Sequence, residues 1–232
     1  MDPGFLPRAL LLDFYGTVVE GDDAPIGQIC NRVAEASPLA VTSAEVGSYW
    51  GRLFGQMCAE SFGSAFQTQK RVEQRSLQDV LNHFQCDLDP DALSRVLYEY
   101  WSHPAIYPES KGVLAQCRMP ICLVSNIDHA ELQSALRDHD LRFDWVVTSE
   151  ACRAYKPRRE MFDKALSLLG LSRDKVLHIG DSLSSDVRGA KALDIPVLWV
   201  NRRKRQTPGG KDAPDYTSTD LRGVLSILGK SA

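Results

Sequence analysis

Five residues able to do chemistry stand far apart along the chain: Asp13, Ser125, Lys156, Asp181 and Asp186. In "ALLLDFYGTV" an apolar run ends at Asp13 and Gly16-Thr17 turns the chain at once. A carboxylate placed there is a competent nucleophile, because a covalent aspartyl intermediate splits one hard displacement into two easier ones. The same position also suits a turn residue or a helix cap. "LVSN" offers Ser125 and Asn126, residue types that commonly punctuate strand ends, and "YKPRREMF" offers Lys156 before a proline, a pairing common in surface loops. "HIGDSLSSD" is more specific, with a strand, Gly180-Asp181, and Asp186 five residues later. Asp181 alone would cap the following helix. Two acids beside a third in one crevice would instead make a hard, oxygen-rich cation site suited to Mg²⁺.

The elements that must position these residues follow from patterning. Short apolar runs at 9–15, 120–126, 143–150, 175–182 and 196–202 read as buried strands. Helical patterns separate the later runs: Phe162, Ala165, Leu166 and Leu169 share a helix face, and Asp128 with Glu131 three residues on reads as an N-cap. Alternating strands and helices predict an α/β fold, a parallel sheet covered on both faces. Ligands bind such sheets outside the carboxyl ends of the strands, where Asp13, Ser125, Glu150 and Asp181 fall. Between the first and second strands only helices are predicted. They include a capping box at Thr42 and Glu45 and a helix started by Asp89-Pro90 with Leu93, Val96, Leu97, Tyr100 and Trp101 on one face.

Bulk properties exclude several function classes. The 232 residues are 44% hydrophobic and 25% charged, enough for one large domain with an insertion. A net charge of −3 gives no basic face for nucleic acid. No apolar run approaches the length of a bilayer span, and the N-terminus lacks a secretion pattern. Six cysteines without a CxxC pair read as free thiols of a cytoplasmic protein. The run "NRRKR" reads as a solvated loop. GxGxxG, P-loop, HExxH and GxSxG patterns are missing.

In their order, "LLLDFYGTV", "LVSN", "YKP" and "GDSLSSD" resemble the four motifs of the haloacid dehalogenase superfamily, over nearly the whole chain. The resemblance implies a Rossmann-like core of residues 1–19 and 104–232, and a helical C1-type cap at 20–103. It implies Asp13 as nucleophile, with Thr17, Ser125, Asn126 and Lys156 binding the transferring group. Mg²⁺ would be held by Asp13, Asp181, Asp186 and the backbone carbonyl of Tyr15.

Tyr15 stands where phosphatases of this superfamily carry the aspartate that protonates the leaving oxygen, a contribution typically worth about 10²–10⁴-fold. A phenol is a poorer base at neutral pH but a donor, so Tyr15 joins Asp13 and Lys156 as a catalytic candidate. Dehalogenating members resemble "DFYGT" more closely, and halide leaves without a proton. Motif IV points the other way, since dehalogenases work without metal and typically carry Ser and Asn there. The preferred expectation is therefore a Mg²⁺-dependent phosphatase of a small metabolite. A 2-haloacid dehalogenase is the alternative, and a weakened phospho-ligand binding protein comes after it. A phosphonatase is disfavoured, because Lys70 is the only lysine of the insertion and reads as solvated. Among the remaining candidates, His178 reads as a buried, hydrogen-bonded structural histidine, Cys122 and Cys152 as packing and His129 as a helix-start surface residue. Arg52, Arg71 and Arg75 are candidate anion clamps. No motif specifies a substrate or an oligomeric state.

Overall fold

A computed structural model describes residues 5–229; the first four residues, on which the secretion reading partly rests, lie outside them. Six parallel strands form one sheet: β1 (Ala9–Leu12), β2 (Ile121–Ser125), β3 (Trp145–Thr148), β4 (Val176–Gly180), β5 (Val197–Val200) and β6 (Tyr216–Ser218), in the order β3-β2-β1-β4-β5-β6. All four residues of β1 and of β5 and all five of β4 are buried. That is why these strands read as continuous apolar runs rather than alternating ones. Successive side chains still face opposite ways. Leu10 and Leu12 join one buried cluster, and Ala9 and Leu11 join the other.

The second cluster is closed by α8 (Arg159–Leu169) through Phe162, Ala165 and Leu166, the face predicted from their spacing. The first is covered by α6 (His129–Asp138) and α10 (Gly223–Leu228), and is continuous with residues of the helices inserted after β1. Each large aliphatic side chain so buried contributes roughly 1.5–3 kcal/mol. β1 lies between β2 and β4: the chain runs outward from it through β2 to β3, then crosses back to β4 and continues the other way through β5 and β6. This reversal opens a crevice beyond the carboxyl ends of β1 and β4.

The inserted helices are α1 (Asp23–Ala36), α2 (Ser43–Glu60), α3 (Gln69–His83) and α4 (Pro90–Ser102). The capping box is present at the start of α2, and Asp89 accepts from the Asp91 N–H at the start of α4. The expected N-cap role of Asp128 is corrected. Its carboxylate accepts instead from the backbone N–H groups of Gln69 (2.8 Å) and Lys70 (3.0 Å), and so caps α3 of the insertion. The first N–H of α6 is served by Glu150 across the sheet end, at 2.7 Å. Lys70 is not a solvated lysine. It pairs with Glu131 of α6 and lies 5.2 Å from the centre of the Tyr98 ring.

The short strand β6 escapes the sequence reading because it is three residues long, only partly buried, and follows a Gly/Pro-rich loop. Among the described residues, no helix is long and apolar enough to cross a membrane.

Candidate active site

The carboxyl end of β1 delivers Asp13 to the crevice, 5% exposed. The ammonium of Lys156, itself 4% exposed, donates to Asp13 Oδ1 (2.7 Å), to Asp186 Oδ1 (2.7 Å) and to the carbonyl of Val124 in β2 (2.8 Å). All three protons of the ammonium are used, so its position is determined on every side. Thr17 Oγ1 donates to Asp13 Oδ2 at 2.9 Å. Two orienting donors thus hold the Asp13 carboxylate.

The backbone of Lys156 is fixed by Asn126. The side-chain carbonyl of Asn126 accepts from Lys156 N–H (2.7 Å), and its amide donates to the Lys156 carbonyl (3.1 Å). Asn126 is therefore a clamp on the lysine backbone. Ser125 is buried beside it, and among the described residues its hydroxyl has no side-chain partner. The N–H groups of Phe14 and Tyr15 likewise donate to no protein acceptor among the described residues. Together they leave donors free at the mouth of the crevice.

Asp186 arrives on a single π-helical turn, Leu183–Val187, a locally widened, underwound turn of the kind that recurs at functional sites. Its Oδ2 accepts from Ser182 N–H (3.0 Å), and its Oδ1 also lies 2.9 Å from His178 Nε2. Gly180 makes room for it: a Cβ there would stand 2.2 Å from the Asp186 carboxyl carbon. Burial works to raise the Asp186 pKa, but Lys156 and the His178 hydrogen bond outweigh it and hold the group well below the usual carboxylate range. His178 is the buried, hydrogen-bonded histidine expected on the strand leading to Asp181: it is fully buried in β4, and its partner is Asp186.

Asp181 is built differently. Its carboxyl group packs against the Cα of Gly16, which has φ +83°, and a Cβ there would meet all three carboxyl atoms within 2.6–2.8 Å. Both demands select glycine. No donor among the described residues reaches either Asp181 carboxylate oxygen. Burial first, then the negative charges of Asp13 and Asp186, push its pKa from 3.8 up to about 8. Burial also raises Asp13, against the opposing pull of Lys156. Three carboxyls share one ammonium, which bonds Asp13 and Asp186 and leaves Asp181 without a side-chain donor. Ligand atoms of Asp13, Asp181 and Asp186 lie within 4.8 Å of one another, an all-oxygen set of the kind a hard divalent cation takes.

The expectation for Tyr15 as an acid is corrected. Its hydroxyl donates to the backbone carbonyl of Trp101 in α4, which ties the motif I loop to the insertion. Burial, then nearby carboxylates, hold the phenol far above its ordinary pKa. The "NRRKR" run is not a merely solvated loop either. Arg202 donates to the carbonyls of Thr17 (2.7 Å) and Gly16 (3.3 Å), pairs with Glu109 (2.7 Å) and stacks 3.4 Å from the centre of the Tyr107 ring. Arg205 donates to the Asp181 carbonyl at 2.8 Å, and so does the Trp199 indole at 2.8 Å. These basic side chains brace the backbones of motifs I and IV. Arg52, Arg71 and Arg75 are exposed and bonded to Ser48, Gln74 and Gln67, away from the carboxylates. Cys122 and Cys152 pack in the cluster under α8, and His129 is exposed.

Comparison with known proteins bears on what this centre does. A 2-haloacid dehalogenase of Pseudomonas sp. strain YL, of (S) specificity, is 23% identical over 97% of this chain and 96% of its own. The (S)-2-haloacid dehalogenase H-109 of Pseudomonas putida is 26% identical over 84% and 86%. The crystal structure of the L-2-haloacid dehalogenase RSc1362 superposes with a TM-score of 0.80 at 20% identity, covering 96% of this chain and 99% of that one. These findings overturn the expectation of a phosphatase and favour the dehalogenase alternative. A family model described as haloacid dehalogenase-like hydrolase matches residues 7–194, and the chain belongs to that family.

Proposed function

We propose that this hydrolase removes halide from a small 2-halocarboxylic acid, with Asp13 as nucleophile and α1–α4 as a cap over the crevice. One observation carries the reading. Asp13 is buried and oriented by Lys156 and Thr17, while the hydroxyl that follows it at Tyr15 is occupied by Trp101 and not free to protonate a leaving group. Carbon–halogen cleavage asks for no such proton.

An oxygen of the Asp13 carboxylate attacks C2, and the carbon–halogen bond breaks with its electron pair leaving on the halide. Water then adds to the carboxyl carbon of the Asp13 ester. The departing hydroxy-acid oxygen takes one of the water protons, the second is released, and Asp13 returns as carboxylate. Lys156 supplies the compensating positive charge throughout. The substrate carboxylate has donors in Ser125 and in the N–H groups of Phe14 and Tyr15. Protonated Asp181 places no added negative charge beside that anion, and stands in as a neutral polar group where dehalogenases typically carry Ser or Asn.

Asp13, Asp181, Asp186 and the Tyr15 carbonyl would hold Mg²⁺ if it were supplied, adding positive charge to the same crevice; dehalogenation does not draw on it. The free cysteines suit a reducing compartment, and we place the protein in the cytoplasm on that basis.

Halide release from 2-chloropropionate, followed by ion chromatography in EDTA, tests this function. Turnover that survives the chelator and vanishes in Asp13→Asn is expected. Single turnover in H₂¹⁸O should place the label on Asp13. No halide release, or release that Asp13→Asn leaves intact, overturns the proposal.

A further inference from the structure

The loop between α2 and α3, residues 61–68, touches the motif III segment just ahead of Lys156. Tyr155 Oη donates to the carbonyl of Gln67 at 2.8 Å. The N–H of Gly63 donates to the Arg153 carbonyl (2.9 Å), and Arg153 Nε donates back to the Gly63 carbonyl (2.8 Å). The Tyr155 ring also lies 5.4 Å from that of Phe66, centre to centre. All three hydrogen bonds end on backbone atoms of the loop, so it is the course of its main chain that motif III meets. Within the loop, Ser61 Oγ accepts from the Gln67 N–H at 2.7 Å and ties its two ends together.

Tyr155 is 2% exposed, and a buried phenol needs an acceptor. Its acceptor stands in the insertion, 88 residues earlier in the chain. Lys156 comes next, its ammonium held by Asp13, Asp186 and the Val124 carbonyl. A side chain bonded at three points leaves its own backbone little room to shift. Asn126 holds the peptide groups of Lys156 from motif II, and Tyr155 holds the preceding residue from the insertion. Arg153 keeps a left-handed conformation, φ +50°, which is costly for a residue with a side chain and persists only where its surroundings impose it. Here the carbonyls of Ser149 and Glu150 take its N–H, and Gly63 of the loop takes its carbonyl.

We propose that Tyr155 is a positioning residue: its hydroxyl seats motif III on the 61–68 loop and so sets where the Lys156 ammonium meets Asp13. This role rests on the reading of Asp13 as the nucleophile. A tyrosine that merely filled space would need its ring and not its oxygen. Without the Gln67 bond, the segment ahead of Lys156 loses its tie to the insertion while Asn126 still holds the lysine, which tilts rather than leaves. A misplacement of about 1 Å can cost about a hundredfold in rate, and a partial shift should cost about tenfold.

Tyr155→Phe keeps the ring and removes the donor. Steady-state halide release from 2-chloropropionate in EDTA, and amide hydrogen exchange of the full chain followed by NMR, test the proposal. In the variant kcat should fall about tenfold with KM within about twofold, because attack geometry is disturbed and substrate recognition is not. The Lys156 N–H, bonded to Asn126, should exchange at least about fivefold faster while the amides of β4 keep their wild-type protection. A folded Tyr155→Phe protein that keeps the wild-type kcat, that changes KM alone, or that exchanges Lys156 at the wild-type rate would overturn the role. So would a loss of protection spread through β4, the mark of a merely structural tyrosine. Should the wild type itself release no halide, the dehalogenase reading falls, and exchange at Lys156 alone upholds or overturns the tie.

Discussion

Replacing Asp181 by asparagine isolates the feature on which the electrostatics of the site turn. Its carboxyl group is pushed from 3.8 to about 8, first by burial and then by Asp13 and Asp186. Below that pH it is neutral; above it, a third anion stands beside Asp13, the proposed nucleophile. The ligand oxygens of the cluster lie within 4.8 Å of one another. Two unit charges at that separation repel by about 3.5 kcal/mol at an effective dielectric of about 20, a ceiling of several hundredfold on rate. An incoming haloacid carboxylate meets the same repulsion. For the wild type in EDTA, kcat/KM for 2-chloropropionate should therefore fall by about tenfold per pH unit above 8, reaching roughly thirtyfold at about pH 9.5. Asp181→Asn should keep the neutral-pH rate within a few-fold and lose this alkaline limb. Initial halide release from about pH 6.5 to about 9.5 measures both. A wild-type profile flat through pH 8 would refute the reasoning. So would an Asp181→Asn protein inactive at every pH, since that would show that the ionised group is required.

Lys156→Met should abolish turnover and destabilise the fold by about 3–5 kcal/mol, because it strands Asp13 and Asp186 in the interior. Chemical denaturation should show a larger loss at pH 8 than at pH 5, where those carboxyls take up protons instead. Asp128→Ala removes the acceptor for two N–H groups of α3 and should cost about 1–2 kcal/mol, with faster hydrogen exchange at Gln69 and Lys70. Glu73 titrates near 7 in the folded chain against an ordinary 4.5. The folded state then holds more protons than the unfolded one across that window, so this group's contribution to stability is full below about pH 4.5 and is lost as pH rises to about 7. The linked change is about 3 kcal/mol. The pH dependence of stability in Glu73→Gln should be shallower than wild type by that amount; identical slopes would disprove the linkage.

Much of this architecture is local in origin. Continuous apolar runs determine β1, β4 and β5, since a strand buried on both faces needs nothing else. The Thr42–Glu45 box and Asp89-Pro90 start their helices through bonds within a few residues of sequence. Strand ends are where a parallel sheet presents ligands, which marks Asp13 and Asp181 from patterning, while Lys156 and the metal-site role of Asp186 came from the resemblance of the four ordered motifs to the superfamily. Long-range partners decided the rest. Asp128 looks like a cap for its own helix, yet caps α3, a helix 59 residues earlier in the chain. Tyr15 looks like an acid until Trp101 takes its proton donor, and the arginines after β5 look solvated until the motif I and IV carbonyls claim them. Above all, the residue type at position 181 names only an acid, while its protonation depends on burial and on the Asp13 and Asp186 carboxyls packed beside it. Sequence specifies which groups can ionise; only the packed structure sets the free energy of doing so.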